Sequence, residues 1–244
     1  MHSIMSREKD MADLKLGLFG RTYLDTIVCL NRFDSGETNT CKTVRKTVGG
    51  IFNILKANLA SITSYCFQDS QVEAFIISES DTCTRSSIVH SLSEKRKPEI
   101  NSDLIDWLHV AYIDDLSHSE ALDEVSTNIS LDFCTLNPRG DYIKIIKRSS
   151  LVFDSRERKH LYNNLNFETP LILHDKNGCE CIVEGHVISE GFTDPQENLH
   201  VNGAGDIFAG IFIKKFYISG LECAISETAE ETKNYLLKCQ NTTY

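Results

Sequence analysis

The sequence predicts an α/β protein: a mainly parallel sheet with helices on both faces. Three observations point there. Short apolar runs of strand length alternate with amphipathic helical patterns along most of the chain. Several runs, such as 107–113 and 170–174, are apolar almost throughout, as strands buried on both faces are. Near the carboxyl end, a glycine-rich segment at 201–206 leads directly into a helical pattern, and ligands of such sheets sit beyond the carboxyl ends of the strands.

The elements follow in order. Residues 1–13 are polar, mixed in charge and lack a signal-peptide apolar region, so they are expected to form a disordered leader before one domain at 14–244. Residues 15–20 form a first strand closed by Gly20, and 26–30 a second apolar run after Asp25. Residues 31–48 are polar and rich in threonine, with the weak alternation of exposed strands or a flap. Gly49 and Gly50 then precede an amphipathic helix carrying Ile51, Phe52, Ile54, Leu55 and Leu59, with Asn53 near its start. Residues 73–78 read as a short buried strand, 84–92 as a helix, 107–113 as a strand and 118–126 as a short helix. A strand at 129–133 carries Asp132, and 142–147 is helical. Further strands lie at 150–153 and 170–174, the latter paired with 179–183 across an Asn177-Gly178 turn. Helices at 204–219 and 221–237 close the domain.

Composition narrows the function. A net charge of −10 disfavours a general nucleic-acid binder. The single basic cluster, Lys95-Arg96-Lys97, reads as a solvated loop. The nine cysteines are irregularly spaced and include no C-x-x-C pair, so no metal site is predicted, and reduced, mostly buried thiols in a cytoplasmic protein are expected. No apolar run is long enough to span a bilayer, so no membrane partner is expected.

The chemistry concentrates at 201–212. Ile207, Phe208, Ile211, Phe212 and Phe216 share one helical face, and Gly220 is a stop. Gly203, Ala204 and Gly205 therefore sit at a helix N-terminus, where unpaired N–H groups and the dipole attract an anion. Asp206 in the first turn suits removal of a proton from a hydroxyl that attacks that anion, as a small-molecule kinase requires. The plainer alternatives are that Asp206 only caps the helix, that Asp25 is a turn residue and that Asn53 bonds the helix start. Asp132 reads as structural, and His174 and His200 as loop histidines.

Asn202-Gly-Ala-Gly-Asp-Ile-Phe208 resembles the C-terminal signature of the ribokinase-like, or PfkB, carbohydrate kinases. The other pieces occur in the family's order: Leu18 to Asp25 is similar to its first strand with a substrate-binding Asp, and Gly49-Gly50 followed by Asn53 to its Gly-Gly motif. Ile129 to Asp132 is similar to a mid-chain strand, and 221–237 to the final helix near the adenine pocket. The resemblance implies a ribokinase-like three-layer fold with a small, reduced β lid, its strands within 26–48. It implies transfer of the γ-phosphoryl group of ATP, with Mg²⁺, to a hydroxyl of a sugar or related polyol. Asp206 would be the base, and Gly203, Ala204 and Gly205 the anion hole. Asp25, Gly49, Gly50 and Asn53 would bind the acceptor.

The chain departs from the family pattern on the nucleotide side. His200-Val201 stand where Asp-Thr is usual, and 173–178 keeps only the last glycine of Thr-x-Gly-x-x-Gly. Asp154 and Glu157 keep the spacing of the family's Asn-x-x-Glu with Asp in place of Asn. The chain also looks short between 60 and 105, where the family builds part of its lid. Two alternatives follow: a nucleoside, inositol or vitamin-precursor kinase, or a non-catalytic sugar-binding protein with a degenerate ATP site. Exposed lid strands would also allow a homodimer.

Overall fold

Largely apolar strands form the centre of the molecule, within a ten-stranded sheet. The computed structural model describes residues 14–56, 62–79, 84–91, 97–196, 199 and 203–241. In chain order the strands are β1 (Lys15–Leu30), β2 (Thr43–Gly50), β3 (Thr63–Glu79), β4 (Thr84–Ser91), β5 (Trp107–Val110), β6 (Asn128–Asp132), β7 (Leu151–Ser155), β8 (Leu171–Asp175), β9 (Gly178–Val183) and β10 (His186–Phe192). The helices are α1 (Ile51–Lys56), α2 (Ile143–Arg148), α3 (Ala204–Ser219) and α4 (Leu221–Asn241). The sheet runs β10-β9-β8-β7-β6-β5-β1-β3-β4, with β2 paired to β1. From β3 through β1 to β8 the pairs are parallel, as the near-continuous apolar runs predict.

Strand alternation divides the core in two. Leu16, Leu18, Trp107, Phe153 and Ile172 face α1, α3 and α4, where Phe208, Phe212 and Ile225 meet them. Phe19, Leu108, Val110, Leu131, Val152 and Leu173 face the other way, under Ile146 of α2 and short single turns that carry Leu122 and Tyr162. The second face is thus covered by short 3₁₀ turns more than by long helices. The helix expected at 118–126 is one such turn, Ser119–Leu122.

The main correction concerns β1, β3 and β4. Gly20 does not close the first strand. A β-bulge between Gly20 and Thr22 carries β1 onward to Leu30, and Gly20 is small because a Cβ there would lie 2.8 Å from Ile51 and 2.9 Å from the Ala111 carbonyl. β3 is likewise 17 residues long rather than a short strand at 73–78. Residues 84–92, read as helical, form β4, because antiparallel pairing with Val72 to Glu79 of β3 outweighs the weak helical pattern. The stretch between 60 and 105 therefore holds two long strands. Beyond the bulge, β2, β1, β3 and β4 form a four-stranded extension of the sheet. One face buries Ile27, Cys29, Ala74 and Ile76 and carries Asp25 in the same alternation, while Leu24, Phe75 and Ile88 are exposed on the other.

Smaller differences have local causes. The β8–β9 hairpin turns at Lys176-Asn177, one residue early, and Gly178 already pairs with Asp175 at φ +140. β5 stops at Val110, short of the predicted 113, because Tyr112 is left-handed. β10 has no counterpart in the sequence reading. The thiols are also less buried than expected: Cys29, Cys179 and Cys181 are buried, but Cys41, Cys66, Cys134 and Cys239 are exposed. Among the described residues no helix is long and apolar enough to cross a membrane. The leader, His200, and Lys95 and Arg96 of the basic cluster lie outside the described residues.

One buried group of the core gives a pH signature. His109 is fully buried in β5, with Nδ1 2.9 Å from Ser130 Oγ, and burial pushes its pKa down from 6.5 to about 3. The folded state thus binds fewer protons than the unfolded chain between those values, so stability falls as pH drops from about 6.5 towards 3. Between pH 6.5 and pH 5 this one residue accounts for about 2 kcal/mol. Urea unfolding at the two pH values should show a loss smaller by that amount in His109→Gln. Equal losses in both proteins would remove His109 as the cause.

Candidate active site

Four elements bring polar side chains together at the carboxyl side of β1, β5 and β6. α3 begins at Gly203, whose φ of +76 is the left-handed turn that glycine adopts without strain. Ile207 N–H is bonded to Gly203 C=O at 3.0 Å, so it closes the first helical turn. The N–H groups of Ala204, Gly205 and Asp206 precede that turn, where a helix offers no carbonyl partner. Gly203, Ala204 and Gly205 are partly exposed there, whereas Asp206 is 2% exposed.

Both oxygens of Asp206 accept hydrogen bonds from other elements. Asn53 Nδ2 of α1 donates to Oδ2 at 2.8 Å. The Tyr112 hydroxyl donates to Oδ1 at 2.5 Å. Asn53 cannot turn over, because Lys56 Nζ donates to its Oδ1 at 2.7 Å and to Val48 C=O at 2.6 Å. The i, i+3 spacing on α1 puts Asn53 and Lys56 on one face. Burial lowers the pKa of Lys56, while the Asp25 and Asp206 carboxylates act to raise it.

The glycines are small for the sake of this cluster. A Cβ on Gly203 would lie 2.8 Å from Asn53 Nδ2. One on Gly49 would collide with the Asp25 carboxylate and lie 3.5 Å from Asn53 Nδ2. Gly50 has φ +64 and sits against the Arg21 carbonyl and the Tyr23 ring. Asp25, Gly49, Asn53, Gly203 and Asp206 thus form one contiguous patch, with Gly50 at its edge against β1.

Around the patch, Tyr23 and Tyr112 meet edge to face with centroids 6.3 Å apart. The Tyr23 hydroxyl donates to Asp115 at 2.6 Å, and Arg21 Nη1 binds the other oxygen of Asp115 at 2.6 Å. Arg21 is therefore engaged by an acid of the chain. Asp132, at the end of β6, is 4% exposed; burial, and then the charges of Asp206 and Asp154, raise its pKa well above the ordinary carboxylate value. The Tyr112 phenol is raised in the same way by burial and by Asp206, so it stays a proton donor.

His174 is a strand residue, at the end of β8, rather than a loop histidine. It stacks on Phe208 of α3 at 4.7 Å and 27°, and its Cε1 is the nearest atom, at 3.2 Å, to a Cβ placed on Gly205. Burial lowers its pKa to about 4. Asp154 and Glu157 do not form a joint site. Asp154 accepts from Arg139 Nη2 (2.9 Å), Arg158 Nε (2.5 Å) and the Tyr162 hydroxyl (2.8 Å), while Glu157 is exposed on the turn Arg156–Tyr162.

Sequence reasoning missed Tyr112 and Lys56. Lys56 was detectable, three residues after Asn53 on the same predicted helix face. Tyr112 was not, since Ala111-Tyr112-Ile113 reads as more strand and nothing local signals a left-handed residue.

No protein-family model matches the chain, and no curated protein matches it in sequence. Solved structures do match. A nucleoside kinase from Burkholderia thailandensis in complex with inosine aligns with TM-score 0.63 and 13% identity over 89% of each chain. A ribokinase from Cryptococcus neoformans in complex with ADP aligns with TM-score 0.62 and 17% identity over 93% of each chain. A Methanocaldococcus jannaschii nucleoside kinase, described as an archaeal member of the ribokinase family, gives TM-score 0.60 and 14% identity over 92% of this chain and 98% of that one. At these identities the likeness is one of fold: the chain has the ribokinase-like fold.

Proposed function

We propose that the chain is an ATP-dependent kinase that phosphorylates a hydroxyl of a sugar or nucleoside. The observation that carries this reading is Asp206. It is a buried carboxylate in the first turn of a long helix, next to backbone N–H groups without helical partners, and it touches the acceptor-side residue Asn53. ATP supplies the phosphoryl group and its leaving group. Gly203, Ala204 and Gly205 would hold the transferring group through backbone N–H groups, and Gly205 leaves room beside His174. Asp206 would take the acceptor proton, with Asn53 fixing its orientation. Asp25 and Asn53 would bond acceptor hydroxyls across Gly49.

Support for the acceptor class comes from the neighbours: one is bound to inosine, and an Arabidopsis thaliana ribokinase is complexed with ribose and ATP. Among the described residues no group of three His, Cys, Asp or Glu is placed to hold a metal. Mg²⁺ would accordingly be bound by the nucleotide's phosphates and water. The test is ADP release from Mg-ATP across an acceptor library of sugars, nucleosides, inositols and vitamin precursors. Release with none of them sinks the kinase reading.

A second reading, a non-catalytic sugar-binding protein, rests on Asp154. This residue stands where the family motif would help organise phosphates, yet Arg139, Arg158 and Tyr162 already occupy it. Calorimetry separates the two, because the second reading requires no heat of Mg-ATP binding with or without ribose. The exposed apolar face carrying Leu24, Phe75 and Ile88 would pair with a second copy, and sedimentation of Ile88→Asp as a smaller species than wild type would bear this out.

A further inference from the structure

We infer that Tyr112 holds acceptor affinity down by filling, in the free protein, the place beside Asp206 that an acceptor hydroxyl must take; this rests on the kinase reading above. A base that removes a proton from a hydroxyl must hold that hydroxyl at hydrogen-bond distance. Asp206 already holds one, the Tyr112 phenol, at 2.5 Å from Oδ1. Its other oxygen, Oδ2, is bonded to an Asn53 amide whose orientation Lys56 fixes. Of these two partners the tyrosine is the replaceable one, and an acceptor enters by displacing it.

The backbone shows that this placement is imposed. Tyr112 has φ 62 and ψ 58, a left-handed conformation that a bulky residue adopts only where its surroundings hold it. Those surroundings are the Asp206 bond at one end, the Tyr23 ring on the side and the 3₁₀ turn Ile113–Asp115 that the residue caps, where its carbonyl accepts from Asp115 N–H at 2.9 Å. Tyr23 is in turn fixed through Asp115 to Arg21. The turn keeps the left-handed backbone when the phenol leaves, so displacement is a rotation of the side chain. Every acceptor must therefore compete with an intramolecular phenol, which weakens the apparent binding of all of them by the same factor.

The experiment compares wild type with Tyr112→Phe and Tyr112→Asn, using ribose and inosine as acceptors. Phe keeps the ring and loses only the hydroxyl, while Asn tolerates the left-handed backbone and removes the ring. Both should lower acceptor KM, by roughly tenfold for Phe, the size expected when one charge-assisted hydrogen bond no longer has to be displaced. The KM for Mg-ATP should not change. Tyr142→Phe, which alters a phenol packed on the opposite face of the sheet, should leave acceptor KM within about twofold. Acceptor KM unchanged or raised in Tyr112→Phe overturns the inference. If none of the proteins releases ADP, the kinase reading fails separately, and calorimetric binding of the two acceptors decides: tighter binding by Tyr112→Phe supports displacement, and equal or absent binding overturns it.

Discussion

Asp206→Asn should lower turnover about 10²–10⁴-fold, the usual worth of a positioned base, while leaving the fold in place. The two halves of that expectation come from the same contacts. An amide cannot take the acceptor proton, so the chemical step loses its base. Its oxygen can still accept from Asn53 Nδ2, the donor fixed by Lys56, if its NH₂ faces Tyr112. The Tyr112 oxygen can accept from that NH₂, but its own O–H then gives up the carboxylate that accepted it. Stability should therefore fall by about 1–2 kcal/mol, short of unfolding. The measurement is kcat with the best acceptor from the library, beside a urea unfolding curve. Full turnover in the variant removes Asp206 as base, and a collapse of stability would make the loss of activity uninformative about chemistry.

Arg139→Met should destabilise the protein by about 3–5 kcal/mol, because it strips the cation from buried carboxylates. Arg139 is fully buried beneath the β6–β7 end of the sheet. Its guanidinium reaches Asp154 at 2.9 Å and Asp114 at 3.2 Å, and donates to the carbonyls of Asn137 (2.7 Å) and Thr135 (2.8 Å). It also lies 4.2 Å from the Phe133 ring centroid. Asp114 is buried, which raises its pKa, but the Thr135 hydroxyl, the N–H groups of Cys134 and Thr135, and Arg139 outweigh that and hold it below the ordinary value. Its contribution is present above about pH 4 and is lost as pH falls further. Methionine fills similar space and leaves Asp154 with Arg158 alone as a charged partner. Chemical denaturation at pH 7 measures the cost, and adding Asp154→Asn to the variant should recover part of it. A change below about 1 kcal/mol would mean that water reaches the cluster.

What the sequence discloses depends on where each element's partner lies. α3 could be read to the residue, because Gly203 and Gly220 punctuate an apolar stripe and both signals are local. β5 to β9 were legible because burial on both faces leaves few polar positions. The outer halves of β1 and β3, and all of β4, were not. Their faces meet solvent or each other, their residues include Thr, Ser and Glu, and only pairing across long sequence gaps makes them strands. The site shows the same division. Gly203 and Asp206 carry motif spacing, Gly49 and Asn53 a spacing one residue shorter than the family's, and the four come together in the structure. Tyr112 owes its position to a single backbone torsion, which leaves no trace in residue type.

The bulge between Gly20 and Thr22 gives β1 the mechanics of a lever. Asp25 lies four residues beyond Arg21 on the same strand, roughly 13 Å along it, whereas Asp206 belongs to a helix packed on the body of the sheet. A bend of about 20° at the bulge would carry Asp25 through about 4–5 Å over that length. The distance between the two carboxylates is thus a curvature of one strand. On the kinase reading proposed above, changes that stiffen residues 20–22 should register as altered acceptor exchange.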